Sequence, residues 1–186
     1  SCSTGPMLPT TVPTLHGHHV TLRPFRDDDA PLVQMAASDP LIPLITTVPT
    51  SGARDDALDY IARQHDRLPS GAGYSFAIAD AATDNAVGQI GLWLADIRHG
   101  RASTGYWIAA PYRRRGLMAD ALHTLTSWAL ALGEVKRLEL YVEPWNEGSW
   151  RTAESCGFER EGLLRSWQEV GDQRKDMYMY SQLPVG

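Results

Sequence analysis

Arg113, Arg114 and Arg115 form one run directly ahead of Gly116, and Gly116 precedes the most regularly spaced apolar stretch in the chain, Leu117 to Leu132. That arrangement suits an anion. The first turn of a helix exposes backbone N–H groups with no partner inside the helix, at the positive end of the dipole, so a phosphate set there gains several hydrogen bonds at once. A glycine at the entry has no side chain to hold the anion off, and guanidinium groups add charge and forked donors. A solvated basic turn at a helix entry is the plainer reading, and the residues alone leave both open. The run lacks the Gly-Lys-Ser/Thr ending of a triphosphate loop and the three glycines of a dinucleotide site, which speaks against ATP and NAD.

A second candidate group follows downstream. Asn146 stands at a helix entry with an amide that both donates and accepts, and Ser149 on the next turn brings a hydroxyl. Capping explains either residue alone. His16, His18 and His19 lack a fourth ligand at a metal-binding spacing and read as an exposed polar turn, so no metal is expected. Cys156, deep in the chain, reads as a buried packing residue rather than a nucleophile. With only Cys2 besides it, a disulfide framework is not expected.

These groups sit in a chain of 186 residues with 17 Lys plus Arg against 22 Asp plus Glu, a formal net charge of −5. The acidic balance excludes a general attraction to nucleic acid or anionic membrane, so the arginine run is a local feature. No stretch approaches the roughly 18 apolar residues of a membrane span, and the start has no basic segment followed by an apolar one. A cytoplasmic protein with neither membrane nor nucleic-acid partner is the expectation. Residues 1–17, rich in Thr, Pro and Gly, read as a flexible leader, and 18–186 as a single domain.

The elements that must position the candidates follow from periodicity. Alternation predicts strands over 20–25, 74–79, 86–94, 102–109 and 137–142, then 158–170 and 174–182 hinged at Gly171 and Asp172. Helical spacing marks 27–38, 55–68, 117–132 and 149–155, with Gly133 placed to end the third of these. The stretch 39–52, with Pro40, Pro43 and Pro49 among apolar residues, reads as a loop that lines a pocket. The basic loop therefore joins a strand to the strongest helix.

Taken together, these residues resemble the GNAT acetyltransferases. Arg113, Arg114, Arg115, Gly116, Leu117, Met118 and Ala119 look like the family's pyrophosphate loop, in which Gln or Arg, two residues, Gly, one residue, and Gly or Ala follow in order. Met118 departs at the last position, where the amide rather than the side chain faces the phosphate. Gly105, Tyr106, Trp107 and Ile108 resemble the fourth strand of the ribosomal-protein (RimJ/RimL-like) branch, which splays from its neighbour and holds the pantetheine arm through backbone near Ile108. Asn146, Ser149, Gly157 and Phe158 match that branch's second motif. The resemblance spans 20–183. It implies an α/β (α+β) GNAT fold: a mixed, mostly antiparallel sheet of roughly six to seven strands, helices on both faces and a splayed cofactor cleft.

The activity so implied is N-acetyl transfer from acetyl-CoA to a primary amine by direct attack in a ternary complex. The acceptor is a protein N-terminus or a small-molecule amine, and a homodimer is left open. A backbone N–H near Ile108 or Ala109 polarises the carbonyl. Ser149 stands in for the tyrosine that many members use to protonate the thiolate, since Ala153 occupies that place. Asn146 serves the pantetheine amides while capping the helix. The branch's base position falls on Gln168, which is no base at neutral pH, and Glu169 beside it points to the other face unless a bulge shifts the register. Glu139 and Glu143 remain as carboxylates acting through water, and the base is unassigned. An α-amine titrates near pH 7.7–8.0 and a lysine near about 10.4, so a missing base favours the α-amine or another weakly basic amine.

Trp145, Trp150 and Trp167, together with the proline-rich segment 41–49, are the candidate walls of the acceptor site. Two other readings compete. A coenzyme A-binding sensor without turnover accommodates Gln168 and Ala153, and a phosphate-binding regulatory domain accommodates the arginine loop but not Asn146 and Ser149.

Overall fold

The computed structural model describes residues 8–186. In chain order the strands are β1 (Leu15–His16), β2 (Val20–Arg23), β3 (Gly73–Asp80), β4 (Ala86–Trp93), β5 (Arg101–Ile108), β6 (Arg137–Val142), β7 (Glu159–Val170) and β8 (Gln173–Gln182). The helices are α1 (Ala30–Ala37), α2 (Ile42–Ile45), α3 (Arg54–Asp66), α4 (Leu117–Ala131) and α5 (Glu147–Ser155). They build one eight-stranded sheet in the order β1-β2-β3-β4-β5-β6-β8-β7. Among the described strands only β5 and β6 pair in parallel, and α4 supplies the crossover that such a pair needs.

Alternation along the strands divides the apolar residues between the two faces. Ile108 joins the core under α4 and α5, and its neighbour Trp107 joins the one under α1 and α3. Helix α4 places Ala121, Leu122, Leu125 and Ala129 fully inside, where each leucine contributes about 2 kcal/mol. Trp128 meets Tyr74 and Phe76 edge-on, at 5.2 and 5.6 Å between ring centres.

The decisive feature for function is where pairing stops. Strands β5 and β6 are in register only from Arg101 opposite Arg137 to Thr104 opposite Leu140, yet β5 stays on β4 as far as Ile108 opposite Gly88. Beyond Thr104 the outer edge of β5 is therefore bare, while β6 continues against β8 to Val142 opposite Tyr178. The sheet opens into a cleft at Gly105 to Ile108.

Three sequence expectations change. The sheet has an eighth strand, β1, too short for alternation to be read from it. It lies in the segment set aside as a flexible leader. Residues 1–7 fall outside the described ones, but 8–17 are packed on the domain: Leu8, Val12 and Leu15 touch the core, and the Tyr74 hydroxyl donates to the Pro9 carbonyl. The histidine turn that follows presents the N–H groups of His18, His19 and Val20 to the Asp120 carboxylate at 3.1, 2.8 and 3.0 Å. No cluster of metal-ligating side chains occurs among the described residues. Finally, the proline-rich loop contains α2, whose start is held by Asp39 accepting from Leu41 and Ile42 N–H at 2.8 and 3.0 Å. None of the described helices is long and apolar enough to cross a membrane.

Candidate active site

Two cavities meet at the splay. The first, about 450 Å³, runs from the start of α4 to the start of α5 and is lined by Arg113, Arg114, Gly116, Leu117, Met118, Ala119, Asn146 and Ser149, with Ile108 along its floor. At its head the first intrahelical bond is Asp120 N–H to Gly116 C=O at 3.2 Å, so the N–H groups of Leu117, Met118 and Ala119 have no helical acceptor. No side chain caps this end either. Gly116 has φ +74° and Arg114 φ +65°, both in the left-handed region. A Cβ on Gly116 would meet nothing within 4 Å, because that space is the cavity itself. Bare donors, a backbone free to approach and a guanidinium at the rim fit a diphosphate.

The three arginines of the run differ in what they do. Arg114 lines the cavity. Arg113 also borders it but is a clamp: its Nε donates to the Ile108 carbonyl at 2.9 Å and one terminal nitrogen to Asp39 at 3.0 Å. Burial pushes the Asp39 carboxyl up, but the amides of Leu41 and Ile42 and then Arg113 outweigh it and hold the group below the usual range. Arg115 is turned out of the cavity, its guanidinium 5.9 Å from the centre of the Tyr112 ring. Of the three, Arg113 and Arg114 line the cavity, and the Arg115 guanidinium lies over the Tyr112 ring that borders it.

The edge of β5 resolves a second ambiguity. Ala109 N–H is spent on the Val87 carbonyl at 3.0 Å, so the alternation of an antiparallel ladder turns Ile108 N–H to the bare side. Of the two donors the sequence offered for a carbonyl, Ile108 faces the cleft and Ala109 does not.

At the junction of the cavities Ser149 Oγ lies 3.3 Å from the Tyr106 hydroxyl, which also reaches the Ser149 carbonyl at 3.3 Å. Burial pushes the Tyr106 phenol up to about 12, with the Ser149 hydrogen bond opposing it, so the phenol keeps its proton. Sequence reasoning alone misses this residue: the strand motif gives Tyr106 no role of its own, and the family's tyrosine position falls on Ala153, which is fully buried. The signal was alternation, which sets Tyr106 on the same face of β5 as Ile108. Asn146 starts α5 as expected, but its side chain makes no capping bond. The Asn146 backbone carbonyl accepts instead from Ser149 and Trp150 N–H at 3.1 and 3.2 Å, leaving the amide group to border both cavities.

The second cavity, about 410 Å³, lies on the α3 side of the splay, with Leu41, Ile45 and Thr47 on one wall and Tyr141, Glu143 and Gln168 on the other. Trp93 forms its floor, lying flat enough that a Cβ on Gly91 would sit 2.2 Å from the ring. Trp107 is fixed by its indole N–H to Gln89 Oε1 at 2.9 Å, and Gln89 in turn donates to Gln64 and Ser75, each at 2.8 Å. Trp145 borders both cavities and is 60% exposed. Of the other tryptophans proposed as walls, Trp167 stacks on Tyr141 at 5.8 Å, and Trp150 packs against the core with its indole N–H on the Pro144 carbonyl at 3.1 Å. A bulge between Leu164 and Gln168 shifts the register of β7, and Gln168 rather than the exposed Glu169 faces the cavity. Cys156 is a packing residue, its thiol donating to the Ala119 carbonyl at 3.4 Å and pushed up by burial.

A splayed β5, a bare helix start and paired cavities are the frame of an acyl-carrier enzyme. The model of the acetyltransferase (GNAT) domain matches residues 19–159, and the chain belongs to the GNAT acetyltransferase family. An N-acetyltransferase of Bacillus licheniformis called p20, itself uncharacterized, is 29% identical over 170 residues, 91% of this chain and 96% of that one. YjcK of Bacillus subtilis, a probable N-acetyltransferase, is 31% identical over 108 residues, 56% of this chain and 59% of the relative. Among solved structures, Mycobacterium smegmatis RimJ in complex with CoA-disulfide superposes with TM-score 0.81 at 22% identity, covering 95% of this chain and 90% of that one. RimL, a ribosomal α-N-protein acetyltransferase in complex with coenzyme A, gives 0.76 at 17% identity, covering 92% and 98%. At such identities the likeness carries the fold. The expected GNAT architecture and an acetyl-CoA-dependent N-acetyltransferase with RimJ/RimL-like neighbours stand.

Proposed function

We propose that the protein acetylates a primary amine, with acetyl-CoA held in the cavity that starts at α4 and the amine entering through the cavity on the α3 side. Bound there, acetyl-CoA supplies an activated acetyl thioester. The N–H groups of Leu117, Met118 and Ala119, helped by Arg114, hold the diphosphate. The bare edge of β5 and the Asn146 amide group serve the pantetheine arm, and Ile108 N–H polarises the acetyl carbonyl. Ser149 passes a proton to the departing sulfur, and Tyr106, which stays protonated, replenishes it. One observation supports this reading above the rest: Tyr106, Trp107, Asn146 and Ser149 border both cavities, so two substrates brought in from opposite sides meet at one place.

The acceptor is a protein N-terminus or a small amine, in keeping with solved neighbours such as RimL and the microcin self-immunity acetyltransferase MccE, the latter in complex with acetyl-CoA and AMP. Incubation with acetyl-CoA and a panel of peptides and amines, followed by free thiol, tests the proposal. Amine-dependent release that collapses in Ser149→Ala while coenzyme A binding persists is the expected result. Tight binding without release on any amine would replace it with the sensor reading that Gln168 keeps in view.

A further inference from the structure

The sequence left two carboxylates, Glu139 and Glu143, as unassigned candidates, and the structure separates them. They alternate with Tyr141 from the middle of β6 to just past its end, so all three side chains leave the sheet on the acceptor side. Glu139 is occupied: Arg137 Nε lies 3.3 Å and Arg101 Nε 3.9 Å from its oxygens, and the Tyr141 hydroxyl 3.5 Å away. Glu143 is only 9% exposed and lines the acceptor cavity. Among the described residues no hydrogen bond or ion pair reaches its carboxylate. Its carboxylate therefore opens on the cavity with no cation bound to it, and a cationic ligand entering there would supply a partner.

The geometry points to Glu143 as the group that receives the amine and takes its first proton. This rests on the acetyl-transfer reading above. The acceptor enters as an ammonium ion and pairs with Glu143. A water between them gives a proton to the carboxylate and takes one from nitrogen. The freed lone pair then attacks the acetyl carbon, the C–N bond forms and the C–S bond breaks. Ser149 and Tyr106 pass a proton to the sulfur, the second nitrogen proton restores that pair, and the proton held by Glu143 leaves to solvent, so one amide, one thiol and one proton result. The other titratable side chains on this cavity are Arg67 beyond α3, Tyr106 on β5 and Tyr141 on β6; strands β7 and β8 contribute the uncharged Gln168 and Met177. With this carboxylate in place, strongly basic amines are acceptors as readily as weakly basic ones.

The test is kcat/KM against pH for wild type, Glu143→Gln and Glu143→Asp, with the best amine of the panel. At neutral pH the Gln variant is expected to lose roughly 100-fold, and the deficit to shrink about tenfold per pH unit toward the amine's own pKa, where solvent supplies the free base. Glu143→Asp should keep the wild-type slope, and coenzyme A affinity should be the same in all three. A Gln variant lower by one constant factor at every pH, or not lower at all, would overturn the assignment of Glu143 while leaving acetyl transfer intact. Absence of thiol release from wild type on every amine would instead remove the parent reading and this one with it.

Discussion

Gly116 separates the strain a backbone stores from the ligand it serves. Its φ of +74° lies in the left-handed region, and a Cβ there meets no protein atom within 4 Å. Gly71 is a matched control: φ +84°, again nothing within 4 Å, and lining neither cavity. An L-residue in that conformation costs about 1–2 kcal/mol, which lowers Tm by about 2–8 °C for a domain of this size. Gly116→Ala and Gly71→Ala should therefore melt alike. Only the first places a methyl group between the α4 amides and a bound diphosphate. Loss of one charge-assisted hydrogen bond, about 1.5–3 kcal/mol, corresponds to about 10- to 150-fold in Kd. Titration calorimetry with coenzyme A measures it, and Gly116→Trp should weaken binding further. Wild-type affinity in folded Gly116→Ala and Gly116→Trp, or equal weakening in Gly71→Ala, would refute the placement of the diphosphate.

Tyr106→Phe should lower kcat roughly tenfold without changing coenzyme A affinity, since it removes a proton donor beside Ser149 and little volume. Folding raises this phenol from 10.0 to about 12, so its contribution to stability is complete below pH 10 and is lost as pH climbs toward 12. Tm of wild type should thus fall faster than that of Tyr106→Phe above about pH 10. Gly91→Ala puts a Cβ 2.2 Å from the Trp93 ring and must tip that floor upward. KM for the amine should rise several-fold while KM for acetyl-CoA stays put, and an unchanged amine KM would show that Trp93 is not part of the acceptor wall.

Much of this was legible because it is local. Leu117 to Leu132 announced α4 by spacing, Gly116 announced its entry, and the strand spans held to within a few residues. What escaped depends on partners distant in sequence. The resemblance implied that this strand splays, but nothing near Ile108 says which amide faces the gap, so the choice between Ile108 and Ala109 N–H needed the ladder. Arg113, Arg114 and Arg115 are chemically alike, and Asp39 and Tyr112 decide which of them faces the cavity. Glu139 and Glu143 share a face, and partners distant in sequence or across the strand, with the course of the cavity, tell them apart. Tyr106 was overlooked because a strand motif directs attention to backbone. The two residues of β1 carry too little pattern to register at all.

The opening of the sheet past Thr104 also governs traffic. On the proposed function, acyl donor and amine would approach from opposite sides of the splay, so neither would block the other's entrance and the spent carrier could leave independently of the acylated product. In a product-inhibition experiment, coenzyme A should compete with acetyl-CoA but not with the amine, the signature of an enzyme with two doors rather than one.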